Sequence, residues 1–264
     1  MYNANYISIK TNYISFWEGE MEPKHLLIKD IPTLIWGTQS DKVFLYVHGQ
    51  GGNKEEAQNF AAIVQEHGYQ VLSIDLPKHG ERKTDKKSFE PWEVTPELCY
   101  TMNYIKQNWK TVALFANSIG AWFSMLAFKD ELLEKCLFLS PIVDMENLIS
   151  EMMKWANVSE KQLQEEQFIH TDFGQTLSWR YWIYAKDNPI IIWNTPTKIL
   201  YGEKDNLVAN TVIAQFAEKF NCDLTMLKGG EHWFHTPQQL DILYGWIQNS
   251  FQTSQERFRT DRFL

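Results

Sequence analysis

The sequence predicts an α/β protein built on a doubly wound, mostly parallel sheet. Three observations carry that expectation. From Lys42 onward, short apolar runs alternate with longer segments whose apolar residues recur at helical spacing, the rhythm of strand–helix–strand units. The strand runs give way to polar, often glycine-rich loops, as expected where parallel strands deliver ligand-binding loops to one edge of a sheet. The third observation is size. With 264 residues, 44% of them hydrophobic and 22% charged, the chain can bury one large core and still carry an insertion.

Before residue 42 the chain offers short strand-like pieces: Tyr13 to Glu18, His25 to Lys29 and Thr33 to Trp36. Gly19, Pro23, Asp30-Ile31-Pro32 and Gly37 punctuate them, which suits antiparallel strands at a sheet edge. Val43 to Val47 then reads as a buried strand. Glu55 to His67 reads as a helix with Ala57, Phe60, Ala61 and Val64 on one face. Gln70 to Ile74 is the next strand. Thr95 to Trp109 is helical, with Pro96 suited to a first turn, where a missing N–H costs nothing. Strand Thr111 to Phe115 leads to helix Gly120 to Lys129. Further strands are expected at Cys136 to Leu139, Pro196 to Tyr201 and Cys222 to Met226, with helices at Thr211 to Phe220 and Pro237 to Phe251.

The stretch from Ile142 to Asn194 breaks this rhythm and is too long for a simple crossover. Asp144 suits the N-cap of a helix running through Leu148 and Met152, and Ser159 the N-cap of one over Glu160 to Gln167. Phe168 to Trp179 reads as a hairpin around Gly174, and Arg180 to Lys186 as a short aromatic helix. The expected organisation is a core of residues 1–141 and 195–251, a cap of residues 142–194 over the strand ends, and a tail of residues 252–264 with no assigned role.

Composition narrows the function. A formal net charge of −8 argues against nucleic acid and anionic membrane surfaces as partners, since both demand a basic face. No apolar run is long enough to span a bilayer. Met1 to Lys10 lacks the basic-then-apolar layout of a secretion signal. The three cysteines, Cys99, Cys136 and Cys222, are widely spaced among apolar neighbours and read as buried thiols of a cytoplasmic protein. No metal or cofactor is expected. The aromatic fraction is 14%, with eleven tryptophans, more than a core requires. Some of them are therefore expected to line a pocket or lid.

One stretch carries most of the chemistry. Thr111 to Phe115 breaks into Ala116-Asn117-Ser118-Ile119-Gly120 and then resumes with helical spacing. Small residues on both sides of a serine at a strand-to-helix turn let the backbone bend sharply and present the hydroxyl to a cleft, the need behind the G-x-S-x-G nucleophile elbow. Alanine replaces the first glycine, so position 116 is expected to need only ordinary strand geometry. Other strand ends add His48-Gly49-Gln50-Gly51-Gly52, Asp75-Leu76-Pro77-Lys78-His79-Gly80, Gly202-Glu203-Lys204-Asp205 and Gly229-Gly230-Glu231-His232.

In this ordered set, over roughly residues 40–250, the chain resembles the α/β-hydrolases, most of all esterases and serine aminopeptidase-like hydrolases with a cap after the sixth strand. The resemblance implies a triad in the order Ser118, Asp205, His232. It also implies an oxyanion hole from the backbone N–H groups of Gln50 and Ile119. Rivals exist for two members. His235 lies three residues beyond His232, and Asp144 follows the strand that ends at Leu139. His232 follows a flexible Gly-Gly turn and Asp205 a Gly-x-x-Asp turn, which favours both over their rivals. His48 and His79 are expected to brace loop backbone, and Glu203 to be a solvated turn residue.

A serine at the elbow, where some relatives carry aspartate, implies acyl transfer through an acyl-enzyme. The leading expectation is a carboxylesterase-type serine hydrolase for small to medium acyl groups, aromatic ones included. Trp155, Trp179 and Trp182, with Trp193 beside them, are the candidate substrate contacts, and the partner is a small-molecule ester. Two alternatives stay open. One is a serine aminopeptidase-like enzyme, whose substrate amine would need a carboxylate such as Glu165, Glu166 or Asp172. The other is a non-catalytic ligand-binding protein on the same fold.

Overall fold

A computed structural model describes residues 5–7 and 21–252 of the chain. In chain order the elements are β1 (Asn5–Ile7), β2 (Lys24–Ile28), β3 (Ile31–Trp36), β4 (Lys42–Val47), α1 (Ala57–Val64), β5 (Gln70–Ile74), α2 (Pro91–Asn108), β6 (Thr111–Asn117), α3 (Ile119–Phe128) and β7 (Cys136–Leu139). An inserted group follows: α4 (Met145–Trp155), α5 (Glu160–Glu166), β8 (Phe168–His170), β9 (Thr176–Ser178) and α6 (Trp179–Asp187). The chain then returns to the sheet with β10 (Thr197–Gly202), α7 (Asn210–Lys219), β11 (Asp223–Leu227) and α8 (Pro237–Asn249).

Nine strands pair in the order β1-β11-β10-β7-β6-β4-β5-β3-β2. All pairings are parallel except β2 with β3 and β3 with β5. The central strands are buried on both faces, which explains why they read as unbroken apolar runs. Successive residues of β4 separate cleanly: Val43, Leu45 and Val47 join one core, and Phe44 and Tyr46 the other. The chain passes from β4 to β5 on one side and then to β6 on the other. The carboxyl ends of β4 and β6, in register at Val47 and Ala116, therefore flank the point where the winding reverses, the usual ligand crevice of such sheets.

The structure corrects several expectations. Helix α2 begins at Pro91, so Pro96 lies inside it and removes one helical hydrogen bond there. The true first-turn proline is Pro91. At the far edge, Asn5–Ile7 adds a parallel strand to β11 that no alternation in the sequence announced. The expected strand from Tyr13 to Glu18 and residues 253–264 of the tail lie outside the described residues. Cys99 is half-buried, while Cys136 and Cys222 are buried as expected. No helix among the described residues is long and apolar enough to cross a membrane.

Much of the tryptophan surplus is absorbed by the cores. Trp36, Trp109, Trp122, Trp182, Trp193 and Trp246 are buried in the cores. Three of them keep their indole N–H satisfied: Trp36 donates to Ser73, Trp109 to Gln70 and Trp193 to Thr197. A large core can therefore absorb many indoles, several of them with a polar partner built in.

Candidate active site

The elbow begins with ordinary strand geometry through Ala116, which is fully buried and lies in register with Val47 and Phe138. Strain is confined to the next turn, where Ser118 sits at φ 53° and ψ −124° before α3 starts at Ile119. A non-glycine residue in this region persists only where its surroundings fix it. Here Ser118 N donates to Leu139 O, and Ser118 O accepts from Ala121 N and Ile142 N. Gly120 is required by close approach. A β-carbon there would stand 2.5 Å from His48 O and 3.0 Å from Val47 O, and α3 could not pack against β4.

The predicted triad residues converge. Ser118 Oγ lies 2.8 Å from His232 Nε2, and His232 Nδ1 lies 2.7 Å from Asp205 Oδ2. The Asp205 side chain is fully buried, and its other oxygen accepts from the backbone N–H groups of Leu207 at 2.8 Å and Val208 at 3.0 Å. With an acceptor at Nδ1, the imidazole carries its proton there and leaves Nε2 free to accept from the serine hydroxyl.

The loops bearing the acid and the histidine are laced together. Lys204 N donates to Gly230 O, Glu203 N to Leu227 O, and Gly229 N to the Glu203 carboxylate at 2.8 Å. Glu203 is thus a brace for the histidine loop and not merely a solvated turn residue. Both rivals fall away on geometry. Asp144 caps α4 through Asn147 N, and His235 turns to Trp233 O on the exposed side.

Gln50 and Ile119 line the same cavity as Ser118. The loop carrying Gln50 is held by two histidines. His79 Nε2 accepts from Gly51 N at 2.9 Å while its Nδ1 donates to Pro77 O at 2.8 Å. His48 Nε2 accepts from Leu76 N at 3.1 Å while Nδ1 donates to Gly49 O at 2.7 Å. Each of these arrangements uses the neutral ring. Burial lowers the His48 pKa to about 4, with the neighbouring His79 and Lys54 acting in the same direction. Beneath the loop, the buried Lys54 ammonium bridges Asp75, Glu55 and Glu81. Burial opposes its charge, yet those hydrogen bonds hold it protonated. Among the described residues no cluster suits a metal ion.

The cavity above Ser118 measures about 1030 Å³. Its floor comes from the elbow and the Gln50 loop. Its walls come from α4 and the β8–β9 hairpin of the insert, with Asn206 and Leu207 from the acid loop. Trp155 lines it, half exposed and edge-on to Phe173 at 5.9 Å. Trp179 and Trp182 are not among the lining residues: Trp182 is core, Trp179 packs against that core, and the neighbouring Tyr181 faces the cavity instead. Trp179 and Trp182, three residues apart, share one face of α6, and Tyr181 lies on another. Trp193 stacks on Phe138 at 5.8 Å, away from Ser118.

No protein-family model matches the sequence, and no curated protein matches it significantly. Solved structures do. The esterase Est1E from Butyrivibrio proteoclasticus, determined with ferulic acid bound, superposes with a TM-score of 0.67 at 17% identity, over 86% of this chain and 96% of that one. The chain has the α/β-hydrolase fold. Alpha/beta hydrolase domain-containing protein 10 from mouse aligns at a TM-score of 0.66 and 13% identity, over 86% of this chain and 97% of that one. An esterase of Pyrococcus furiosus aligns at 0.57 and 16% identity, covering 94% of each chain.

Proposed function

We propose that the protein is a serine hydrolase that cleaves carboxylic esters of small to medium acyl groups, aromatic ones included. The observation that carries this reading is the unbroken relay from Ser118 to His232 to Asp205 at the floor of an apolar cavity. Ser118 Oγ attacks the acyl carbonyl while His232 Nε2 takes its proton. Asp205 keeps the imidazole oriented and stabilises the imidazolium that forms. The N–H groups of Gln50 and Ile119 hold the oxyanion, and one such donor is worth about 2.7–4 kcal/mol in a well-studied case. His232 then protonates the leaving alkoxide. A water, deprotonated by the same histidine, releases the acid from the acyl-enzyme.

The inserted residues 142–194 act as the cap, and the acyl group lies between α4 and the β8–β9 hairpin. Met145, Leu148, Ile149, Met152 and Phe173 supply an apolar surface that a hydrocarbon or ring can fill. The aromatic ligand of Est1E is consistent with that choice. The peptidase alternative loses its original support, because Glu165, Glu166 and Asp172 do not line the cavity and stand exposed. Hydrolysis of p-nitrophenyl acetate and butyrate by the wild type and by Ser118→Ala tests the reading. The wild type turns both over, the variant neither, and a fluorophosphonate labels Ser118. Equal rates in the two proteins, or no adduct, would overturn it.

A further inference from the structure

Among the residues lining the catalytic cavity there is one charged side chain, Glu90, and no lysine, arginine or histidine. Glu90 is half-buried, and two fully buried carboxylates, Asp75 and Glu97, are matched. Asp75 holds Lys54, and Glu97 holds Arg82 and Lys87. Glu90 has no such partner: among the described residues no cation pairs with it. Ser88 Oγ donates to one of its oxygens and orients the carboxylate. Phe89 and Tyr181 line the same cavity and add aromatic surface beside it. Tyr181 Oη is buried and has no hydrogen-bond partner among the described residues. Burial raises its pKa, and the nearby Glu90 charge raises it further. The carboxylate and the phenol thus line the same cavity within electrostatic reach of each other.

An unmatched carboxylate in an apolar enclosure repels anions and leaves neutral hydrocarbon indifferent. The group that complements it is a cation small enough to enter, and aromatic faces favour the same charge. We propose that Glu90 is the specificity-determining residue of the cavity, selecting acyl chains that carry an ammonium group over neutral or carboxylate-bearing chains of equal length. The proposal deepens the reading of this cavity as the acyl site and rests on it.

The test is equilibrium binding to the full chain carrying Ser118→Ala, measured by titration calorimetry at low salt. The probes are butyl-, hexyl- and octylammonium, with the alcohols and carboxylates of the same lengths. At the best-fitting length the ammonium is expected to bind about tenfold more tightly than the alcohol, with the carboxylate weakest. Adding Glu90→Gln should shrink the ammonium preference to about twofold or less, and adding Glu90→Lys should invert the order in favour of the carboxylate. Ammonium and alcohol binding alike, no binding by any probe, or a preference that survives Glu90→Gln would overturn the proposal. Should either Glu90 variant fail to fold, the head-group order in the Ser118→Ala chain decides alone. Wild-type turnover of p-nitrophenyl butyrate is scored separately. Turnover without an ammonium preference removes this proposal only, and preference without turnover removes the hydrolase reading.

Discussion

The loops at the sheet edge and the insert above them are stabilised in opposite ways. At the edge, nearly every side chain of interest is tied by directed polar bonds: Asp205 by two backbone donors, Glu203 by Gly229, His48 and His79 by both ring nitrogens, Lys54 by three carboxylates. The insert rests on the body through apolar and aromatic packing. Tyr181 stacks near Trp122 at 5.9 Å, Arg180 lies over Trp92 at 3.9 Å, and Leu163, Leu177 and Trp182 enter the main core. Two polar atoms there, Tyr181 Oη and Trp182 Nε1, are buried with no partner among the described residues. Directed bonds fix positions to fractions of an ångström, and chemistry needs that. Apolar packing tolerates substitution of similar volume, and specificity can vary without loss of the machinery.

Substitutions should separate the two regions. The largest effect is expected from Asp205→Asn, which keeps the shape but offers the wrong partner to His232 Nδ1. By analogy with the serine protease case, kcat falls by about 10⁴ with KM little altered, checked by steady-state kinetics on p-nitrophenyl butyrate. A KM effect alone would place Asp205 outside the relay.

Next comes the pH dependence of stability. His48 is pushed down to about 4 in the folded chain from an ordinary 6.5. The unfolded chain therefore takes up the proton first. The full contribution of neutral His48 is present above pH 6.5 and is lost as pH falls toward 4, a change of roughly 3 kcal/mol at most. Thermal midpoints from pH 7.5 to 4.5 should drop accordingly, with a shallower slope in His48→Asn.

His79→Ala removes the acceptor of Gly51 N and loosens the loop that presents Gln50. Because the donor is displaced and not deleted, kcat should fall by about 10- to 100-fold, less than the loss of an oxyanion donor outright. The smallest effect belongs to the insert. Trp155→Ala trims a half-exposed wall, and its cost of about 1 kcal/mol should appear as a severalfold higher KM for longer acyl chains, with kcat for the acetate unchanged. If Trp155→Ala instead lowered kcat on the acetate tenfold or more, the contrast between the two regions would fail.

The edge region was also the more legible in sequence. Buried parallel strands advertise themselves as apolar runs, and turns as glycine clusters, so Ser118, Asp205 and His232 could be ordered before any geometry was known. Asp144, Ser159 and the hairpin at Gly174 were legible for the same reason, since caps and turns are local chemistry. What escaped was decided by tertiary placement. The three residues of β1 are too few to show a period. Pro91 outranks Pro96 as the helix start because Glu90 is extended and ends the preceding loop. Whether Trp179, Tyr181 or Trp182 meets the cavity depends on which face of α6 is turned towards it, and tertiary packing sets that. Glu90 gave no signal at all, because a carboxylate without a partner looks, in sequence, like any other.

Besides the bond from Ile142 N to Ser118 O, a side-chain contact joins the two regions. Gln50 Nε2 donates to Gln175 Oε1 at 3.5 Å, linking the loop below to the hairpin above. Both groups are uncharged amides, and neither titrates between acid and alkaline extremes. The junction therefore has no dependence on ionic strength or proton concentration. Changes of the medium that act on the charged groups around the cavity, Glu90 among them, leave this contact between roof and floor as it is.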